Sequence, residues 1–289
     1  MKLPIIALLV AVLLVGSSAE AGKRKSIKPG SSPGRVSFFN QVKSHFTNPR
    51  ISAIVKNDPD AQEGLLRMLA TVGKQHGNDE ALKRLGKAIT NLDEELGPDA
   101  AKAALADYAK LSRQFAGDPV ATERLEGLAR EFAVYPKDPS RGAAFAIHES
   151  AKNLPNSLIE IEPAVGGAGR DHLKFRDARR RDGAREADQE FKSWHGTERE
   201  LGANKLCYQT FRHFGRYQKE GVSIHPVPPG RALEWIFDKR LPTAWRRSIK
   251  QCTLDALRTP GPVGPGLSAA DAKRWVEDNL VVTVRRKWP

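Results

Sequence analysis

The period of the hydrophobic pattern changes close to residue 138, and this change constrains the fold more than any other feature of the sequence. Between Arg35 and Asp138, apolar residues recur at intervals of three and four, as they do along one side of an α-helix. Beyond Asp138, several runs alternate between apolar and polar residues, as half-buried strands do. The sequence therefore predicts an α+β protein in which an all-α helical bundle, residues 35–138, precedes an α/β domain, residues 139–289.

Short punctuation motifs support this division. In the helical part, Gly-Asn-Asp, Gly-Pro-Asp and Gly-Asp-Pro begin at Gly77, Gly97 and Gly117 and predict helix boundaries. In the C-terminal part, Asp182-Gly183 lies between two alternating runs and predicts a tight hairpin. The expected order there is helix, three strands, helix, strand and helix. The corresponding segments are Ala143–Asn153, Leu158–Glu162, Asp171–Asp177, Arg185–Trp194, Glu198–Lys219, Val222–Val227 with Leu233–Asp238, and Pro242–Leu257.

The first 21 residues have the layout of a cleavable signal peptide. Lys2 provides a positive charge, Leu3–Val15 is an apolar run, and small residues ending in Ala-Glu-Ala follow. An uncleaved membrane anchor would need roughly 18 apolar residues. We therefore expect cleavage after Ala21, a secreted or periplasmic protein, and no membrane span after cleavage. Residues 22–34 are basic and rich in Gly, Ser and Pro, as is typical of a flexible tether.

The charge of the chain is unevenly distributed. The formal net charge is +13, and the excess lies in the tether and in residues 139–289, whereas residues 35–138 are neutral. An excess of this size favours anionic partners and places them at the C-terminal domain. With two cysteines, the chain cannot form a Cys-only zinc site. Cys207 and Cys252 each lie on an apolar helical stripe, and they form either a disulfide in an exported protein or two buried thiols.

The predicted strand Arg185–Trp194 carries the clearest candidate site. Because side chains alternate along a strand, Glu190 and Lys192 point to the same side, about 7 Å apart, and Phe191 points to the other. Carboxylate oxygens bind hard divalent cations, and a neighbouring ammonium group can orient a water molecule. A solvated face of an antiparallel sheet is the ordinary alternative for such charges.

Two further acidic residues precede this strand. Asp171 opens the preceding alternating run, and Glu149 lies on the helix before the first strand. Together with Glu190-Phe191-Lys192 and the order of the elements, they resemble the PD-(D/E)xK nuclease superfamily, which has the restriction-endonuclease-like fold. The resemblance covers residues 141–257 and leaves out the helical bundle.

The resemblance implies a role for each of these residues. Asp171 and Glu190 would bind Mg²⁺ or Mn²⁺, Lys192 would position the attacking water, and Glu149 would assist at the metal. The sequence departs from the family pattern because Arg170, instead of proline, precedes Asp171. Two other carboxylates could take the second position, namely Asp177 and Asp188.

Basic residues near this candidate site would contact the nucleic acid. The helix after the strand carries one polar stripe, from which the resemblance implies that Gln209 assists at the site and Arg212 contacts phosphates. The predicted nucleic-acid-binding residues are Arg179, Arg180, Arg181, Arg185, Lys205, Arg212 and Arg216. An amphipathic helix with a soluble face and a solubilising turn would explain the same residues without any binding function.

The sequence thus predicts a metal-dependent nuclease that hydrolyses DNA or RNA outside the cytoplasm. Such an enzyme would serve either in scavenging or as a toxin-like effector, and the second role would add an immunity protein as a partner. The competing class is a non-enzymatic extracytoplasmic binding or adaptor protein whose basic domain binds an anionic partner.

Overall fold

The computed structural model describes residues 49–134, 137–154, 157–161, 164–165, 174–175, 177–193, 232–238, 243–259 and 266–285. In this part of the chain, eight helices and a five-stranded mixed sheet form an α+β fold, as predicted. The helices are α1 (Pro49–Lys56), α2 (Pro59–His76), α3 (Asn78–Leu96), α4 (Pro98–Gln114), α5 (Pro119–Phe132), α6 (Lys137–Lys152), α7 (Thr243–Arg258) and α8 (Ala269–Asn279). The strands are β1 (Leu158–Ile161), β2 (Ala164–Val165), β3 (Lys174–Phe175), β4 (Ala178–Asp182), β5 (Arg185–Lys192), β6 (Ala232–Phe237) and β7 (Leu280–Val284).

Glycine residues separate the helices of the bundle at the positions that the sequence predicts. Gly77, Gly97 and Gly117 adopt φ angles of 77°, 92° and 92°, which residues with a Cβ atom rarely adopt. The side chain of Asp118 then caps α5 by accepting hydrogen bonds from two backbone N–H groups of the first turn, at 2.9 and 3.0 Å. These local signals are sufficient to divide the bundle into its helices.

Helices α2 and α4 approach each other closely at Gly64. A Cβ atom at this position would lie 1.8 Å from the carbonyl oxygen of Leu105. Leu65, Met68 and Leu105 are almost completely buried around the contact. The absence of a side chain at Gly64 therefore allows the two helix backbones to pack together.

The main sheet has the strand order β1-β4-β5-β6-β7. Strands β1, β4 and β5 are antiparallel, whereas β5, β6 and β7 are parallel. The predicted hairpin joins β4 to β5, with Asp182 opposite Arg185 and Gly183 at a φ of 60°. Because this loop has only two residues, β4 extends as far as Asp182. It therefore lies after the predicted run Asp171–Asp177, and Arg179, Arg180 and Arg181 belong to the strand.

The sheet is covered on both sides. On the side that we call the bundle face, Phe191 contacts Phe145 of α6 edge to face, with ring centroids 6.3 Å apart. On the opposite side, which we call the α7 face, Trp235 and Phe237 of β6 belong to a second core with Trp245 of α7. Strands β5 and β6 thus lie in the middle layer of the protein.

Bundle and sheet share one hydrophobic core. Ile161, Ala178, Phe191 and Ile236 of the sheet belong to the same buried cluster as the bundle residues. Helix α6 links the two parts because it packs on α3, α4 and α5 as well as on β5. The core therefore continues across the predicted boundary between residues 138 and 139.

We expect Gly64→Ala to lower the free energy of unfolding by about 3 kcal/mol, the upper end of the usual cost of overpacking. The new methyl group would clash with the backbone carbonyl of Leu105, which cannot move aside as the end of a flexible side chain could. Helix α2 would therefore be forced away from α4. Urea denaturation followed by circular dichroism would measure the change.

Gly142→Ala is the matched control, since Gly142 is also helical and a Cβ there would meet no atom within 4 Å. This substitution should raise the free energy of unfolding by about 0.4–1 kcal/mol, because alanine restricts the unfolded chain. Equal effects of the two substitutions would contradict the close approach at Gly64.

Candidate functional site

Glu190 and Lys192 lie next to each other on the α7 face of β5. The Nζ atom of Lys192 donates a hydrogen bond to Oε2 of Glu190 at 2.5 Å and lies 5.6 Å from the ring centroid of Trp235. Glu190 is only 7% exposed. Phe191, between them, points to the bundle face, so the two sides of this strand are occupied as predicted.

Asp188 adds a second carboxylate to the same face. Its Oδ1 atom accepts a hydrogen bond from Nε of Arg179 at 2.7 Å, and Arg179 also binds Oε2 of Glu160 at 2.9 Å. Asp188 is completely buried, and its Oδ2 atom has no hydrogen-bond partner among the described residues. A buried carboxylate oxygen without a donor is unfavourable unless a cation or water binds it.

The second predicted metal ligand, Asp171, lies outside the described residues. Of the two alternatives, Asp177 directly precedes β4, and its carboxylate accepts a hydrogen bond from the backbone N–H of Phe191 in β5. Asp188 is the alternative on the same face as Glu190. Within the described ranges, no three acidic, histidine or cysteine side chains form a group that could hold a metal ion. The described donors therefore fit Mg²⁺ or Mn²⁺ only in part, because they supply two carboxylates on one face.

Glu149 lies on the other side of the sheet. It is 1% exposed on α6, where Oε1 accepts a hydrogen bond from Lys152 at 2.7 Å and Oε2 accepts one from Arg285 at 3.0 Å. Helix α6 packs on the bundle face, whereas Glu190 projects to the α7 face. The structure thus does not bring Glu149 together with Glu190.

A second polar network crosses the bundle face. Arg180 donates hydrogen bonds to both carboxylate oxygens of Glu234, at 2.9 and 2.5 Å, and Gln189 donates to Oε2 at 2.8 Å. Asn153 of α6 then donates to the side-chain oxygen of Gln189 at 2.9 Å. Arg180 reaches across β5 because the residue opposite it is the small Ala187. Burial alone would raise the pKa of Glu234, but these hydrogen bonds and the charge of Arg180 lower it below its usual value.

The four hairpin arginines predicted to bind nucleic acid differ in their surroundings. The guanidinium groups of Arg179 and Arg180 bind carboxylates within the sheet. Arg181 is 57% exposed at its side chain and binds Glu186 at 2.7 Å. Arg185 is exposed and donates hydrogen bonds to the C-terminal end of α8. The other predicted site residues, Lys205, Gln209, Arg212 and Arg216, lie outside the described residues.

Sequence reasoning missed a buried ionic cluster at the carboxyl ends of β5 and β6. Arg141 of α6, 2% exposed, donates hydrogen bonds to Asp238 at 2.6 Å, Ser193 at 2.8 Å and Glu95 at 3.2 Å. Ser193 also donates to Asp238 at 3.1 Å. Arg141 stands in a Pro-Ser-Arg-Gly stretch that has the composition of a linker, so only the charge at the end of an apolar strand, Asp238, could have indicated the cluster.

Cys252 of α7 is disulfide-bonded. The sequence contains one other cysteine, Cys207, which lies outside the described residues. Of the two readings that the sequence left open, the structure therefore favours the disulfide. Disulfides persist mainly in oxidising compartments.

No protein-family model, no curated protein and no solved structure matches this chain. Among the helices that the structure describes, none has the length and hydrophobicity needed to cross a bilayer.

We expect Arg141→Met to lower the free energy of unfolding by about 3–5 kcal/mol, because it leaves the carboxylate of Asp238 buried without its cation. Arg113→Met is the matched control. Arg113 also contacts two carboxylates, Asp60 at 2.9 Å and Glu63 at 2.7 Å, but it is 43% exposed. The control should cost less than about 1 kcal/mol in urea denaturation. Similar losses for both variants would contradict the special role of burial at Arg141.

The lowered pKa of Glu234 predicts a pH-dependent stability. An ionised carboxylate with a lowered pKa stabilises the fold fully above its unfolded pKa, about 4.3 for glutamate, and this contribution is lost as the pH falls through the folded value. The free energy of unfolding should therefore fall more steeply between about pH 5 and 3 in the wild type than in Glu234→Gln.

Glu80→Gln serves as the control for this comparison, since it removes a carboxylate that is 41% exposed and paired with Arg84 on the bundle surface. It should keep the wild-type slope in urea denaturation at successive pH values. A wild-type slope in Glu234→Gln as well would show that Arg180 and Gln189 do not lower the pKa of Glu234.

Proposed function

We propose that this chain is an extracytoplasmic metal-dependent nuclease that hydrolyses phosphodiester bonds of DNA or RNA. The observation that carries the proposal is the pair of buried Glu190 and half-buried Lys192, whose carboxylate and ammonium groups lie 2.5 Å apart on one face of the sheet. Burial strengthens electrostatic interactions, so a carboxylate and an ammonium held there act more strongly than on the surface.

Each residue of the pair has a distinct task in this proposal. Glu190 would hold Mg²⁺ or Mn²⁺ together with Asp171, or with Asp188, whose Oδ2 atom has no hydrogen-bond partner among the described residues. The metal ion would lower the pKa of a bound water and stabilise charge on the phosphate. Lys192, held in place by Glu190 and by the ring of Trp235, would orient the attacking water. Gln209 would assist from the next helix.

Two features support a location outside the cytoplasm, either secreted or periplasmic. The first 21 residues have the layout of a signal peptide, and Cys252 is disulfide-bonded. Export would keep a nuclease away from the chromosome of the cell that makes it. A toxin-like effector would then require an immunity protein as a partner, whereas a scavenging enzyme would not.

A non-enzymatic binding protein is the second candidate, and the ion pairs of the sheet favour it. Arg179 binds Asp188, Arg180 binds Glu234, and Lys192 binds Glu190. Such pairs also occur in sheets whose charged residues have no function beyond meeting one another's hydrogen-bonding requirements. On this reading, the basic domain would bind an anionic partner without hydrolysing it.

Cleavage assays separate the two candidates. The mature protein, from Gly22 onward, would be incubated with supercoiled plasmid and with RNA in the presence of Mg²⁺, Mn²⁺ or EDTA. We expect metal-dependent cleavage that Glu190→Gln and Lys192→Met each reduce by at least about 100-fold, the usual contribution of a positioned acid–base group. EDTA should abolish it.

Glu234→Gln is the matched control, because Glu234 is as buried as Glu190 (7% exposed) but projects to the bundle face. Its cleavage rate should stay close to that of the wild type. Cleavage that survives both site substitutions would place the active site elsewhere. Salt-sensitive binding with no cleavage under any metal condition would favour the binding protein.

A further inference from the structure

The exposed face of α7 is strongly basic. Trp245, Ile249, Cys252 and Ala256 are buried, whereas the cationic residues of the helix are exposed. These exposed cations are Arg246, Arg247, Lys250 and Arg258. Over the described residues, none of the four takes part in an ion pair or a side-chain hydrogen bond. At 1.5 Å per residue, they extend over about 18 Å of the helix.

Several arginines of the bundle, by contrast, take part in ion pairs within the fold. In the bundle, Arg67 binds Glu63, and Arg84 binds Glu80. On α7, the one acidic residue is Asp255, which accepts a hydrogen bond from Gln251 at 2.9 Å and leaves the cations unneutralised. Among the described residues, no carboxylate forms an ion pair with these α7 cations, so they can bind a partner outside the fold.

The position of α7 relates this basic face to the candidate site. Helix α7 packs on α8, which in turn contacts β6 and β7. Trp245 belongs to one core cluster with Trp235, and the ring of Trp235 lies under the ammonium group of Lys192. Arg246 follows Trp245 directly in the chain, so the basic surface begins beside this cluster.

We propose that the α7 cations Arg246, Arg247, Lys250 and Arg258 bind the phosphate backbone of a nucleic acid. This binding surface does not depend on the proposed nuclease function. A cation without an ion-pair partner in the protein can bind a phosphate group directly. Its binding releases the counterion that accompanied the phosphate, which favours the complex. Backbone contacts of this kind position a strand without reading its sequence.

An anionic membrane fits this surface less well. Helices that bind at a membrane surface bury an apolar face in the lipid. The apolar face of α7 is already buried in the protein core, and its fully exposed positions are small or polar.

The test measures binding in EDTA, so that binding and cleavage remain separate. Fluorescence anisotropy would follow labelled single-stranded DNA, duplex DNA and RNA between about 50 and 200 mM NaCl. The variant is Arg246→Gln/Arg247→Gln/Lys250→Gln. The control, Lys56→Gln/Lys83→Gln/Lys87→Gln, removes the same charge from exposed bundle lysines. Circular dichroism melts and the single variant Lys250→Gln guard against misfolding.

We expect the triple α7 variant to lower the slope of log K against log salt for duplex DNA by about three, or one for each lost phosphate contact. Lys250→Gln should lower the slope by about one, and the bundle variant should leave it unchanged. A wild-type slope in the α7 variants would overturn the inference, and so would a loss confined to Arg181→Gln/Arg185→Gln.

Two further arms distinguish the source of the anion. Tighter binding to heparin or to vesicles of anionic lipid than to every nucleic acid would also overturn the inference. Binding that depends on α7, with no cleavage in Mg²⁺, would contradict the proposed nuclease function and retain the surface. Cleavage lost in Glu190→Gln, with salt-dependent binding unaffected by α7, would support the nuclease and reject the surface.

Discussion

Strands β5 and β6 are covered on both faces, and the rest of the structure depends on this double burial. The bundle lies against one face through Phe145, and a second core that includes residues of α7 and α8 covers the other. A buried polar group is unfavourable unless it has a hydrogen-bond partner. Each polar side chain of β5 must therefore find its partner within its own face, as Asp188 does with Arg179 and Gln189 does with Glu234.

The Arg180–Glu234 and Arg179–Asp188 networks differ in how many carboxylate oxygens have a hydrogen-bond partner. On the bundle face, the chain of bonds from Arg180 through Glu234 and Gln189 to Asn153 engages both oxygens of the carboxylate. On the α7 face, Asp188 keeps one oxygen without a hydrogen-bond partner among the described residues. That oxygen shares its face with the carboxylate of Glu190, so a cation would be stabilised there more than on the bundle face.

The sequence predicts those features that depend on residues close together in the chain. The glycine boundaries, the hairpin at Gly183 and the alternation of Phe191 with Lys192 all follow from local patterns, and the structure contains each of them. The ion pair of Arg141 with Asp238 joins residues 97 positions apart, for which the sequence carries no local signal. The surroundings of Arg180 could not be predicted from the sequence for the same reason, because its carboxylate partner, Glu234, comes from the distant strand β6.

The three consecutive arginines at positions 179–181 show why charge alone does not locate a binding surface. Arg179 and Arg180 look like an exposed basic turn in the sequence, but the two-residue hairpin places them within a strand, where carboxylates neutralise them. Net charge indicates that the protein attracts anions, whereas the internal ion pairs determine which cations remain available to bind them. On α7, the core takes up the apolar side of the helix and no acidic residue pairs with Arg246 or Lys250 among the described residues. Among the described residues, part of the excess charge of the C-terminal part is therefore exposed on a helix whose sequence, taken alone, looks like an ordinary amphipathic segment.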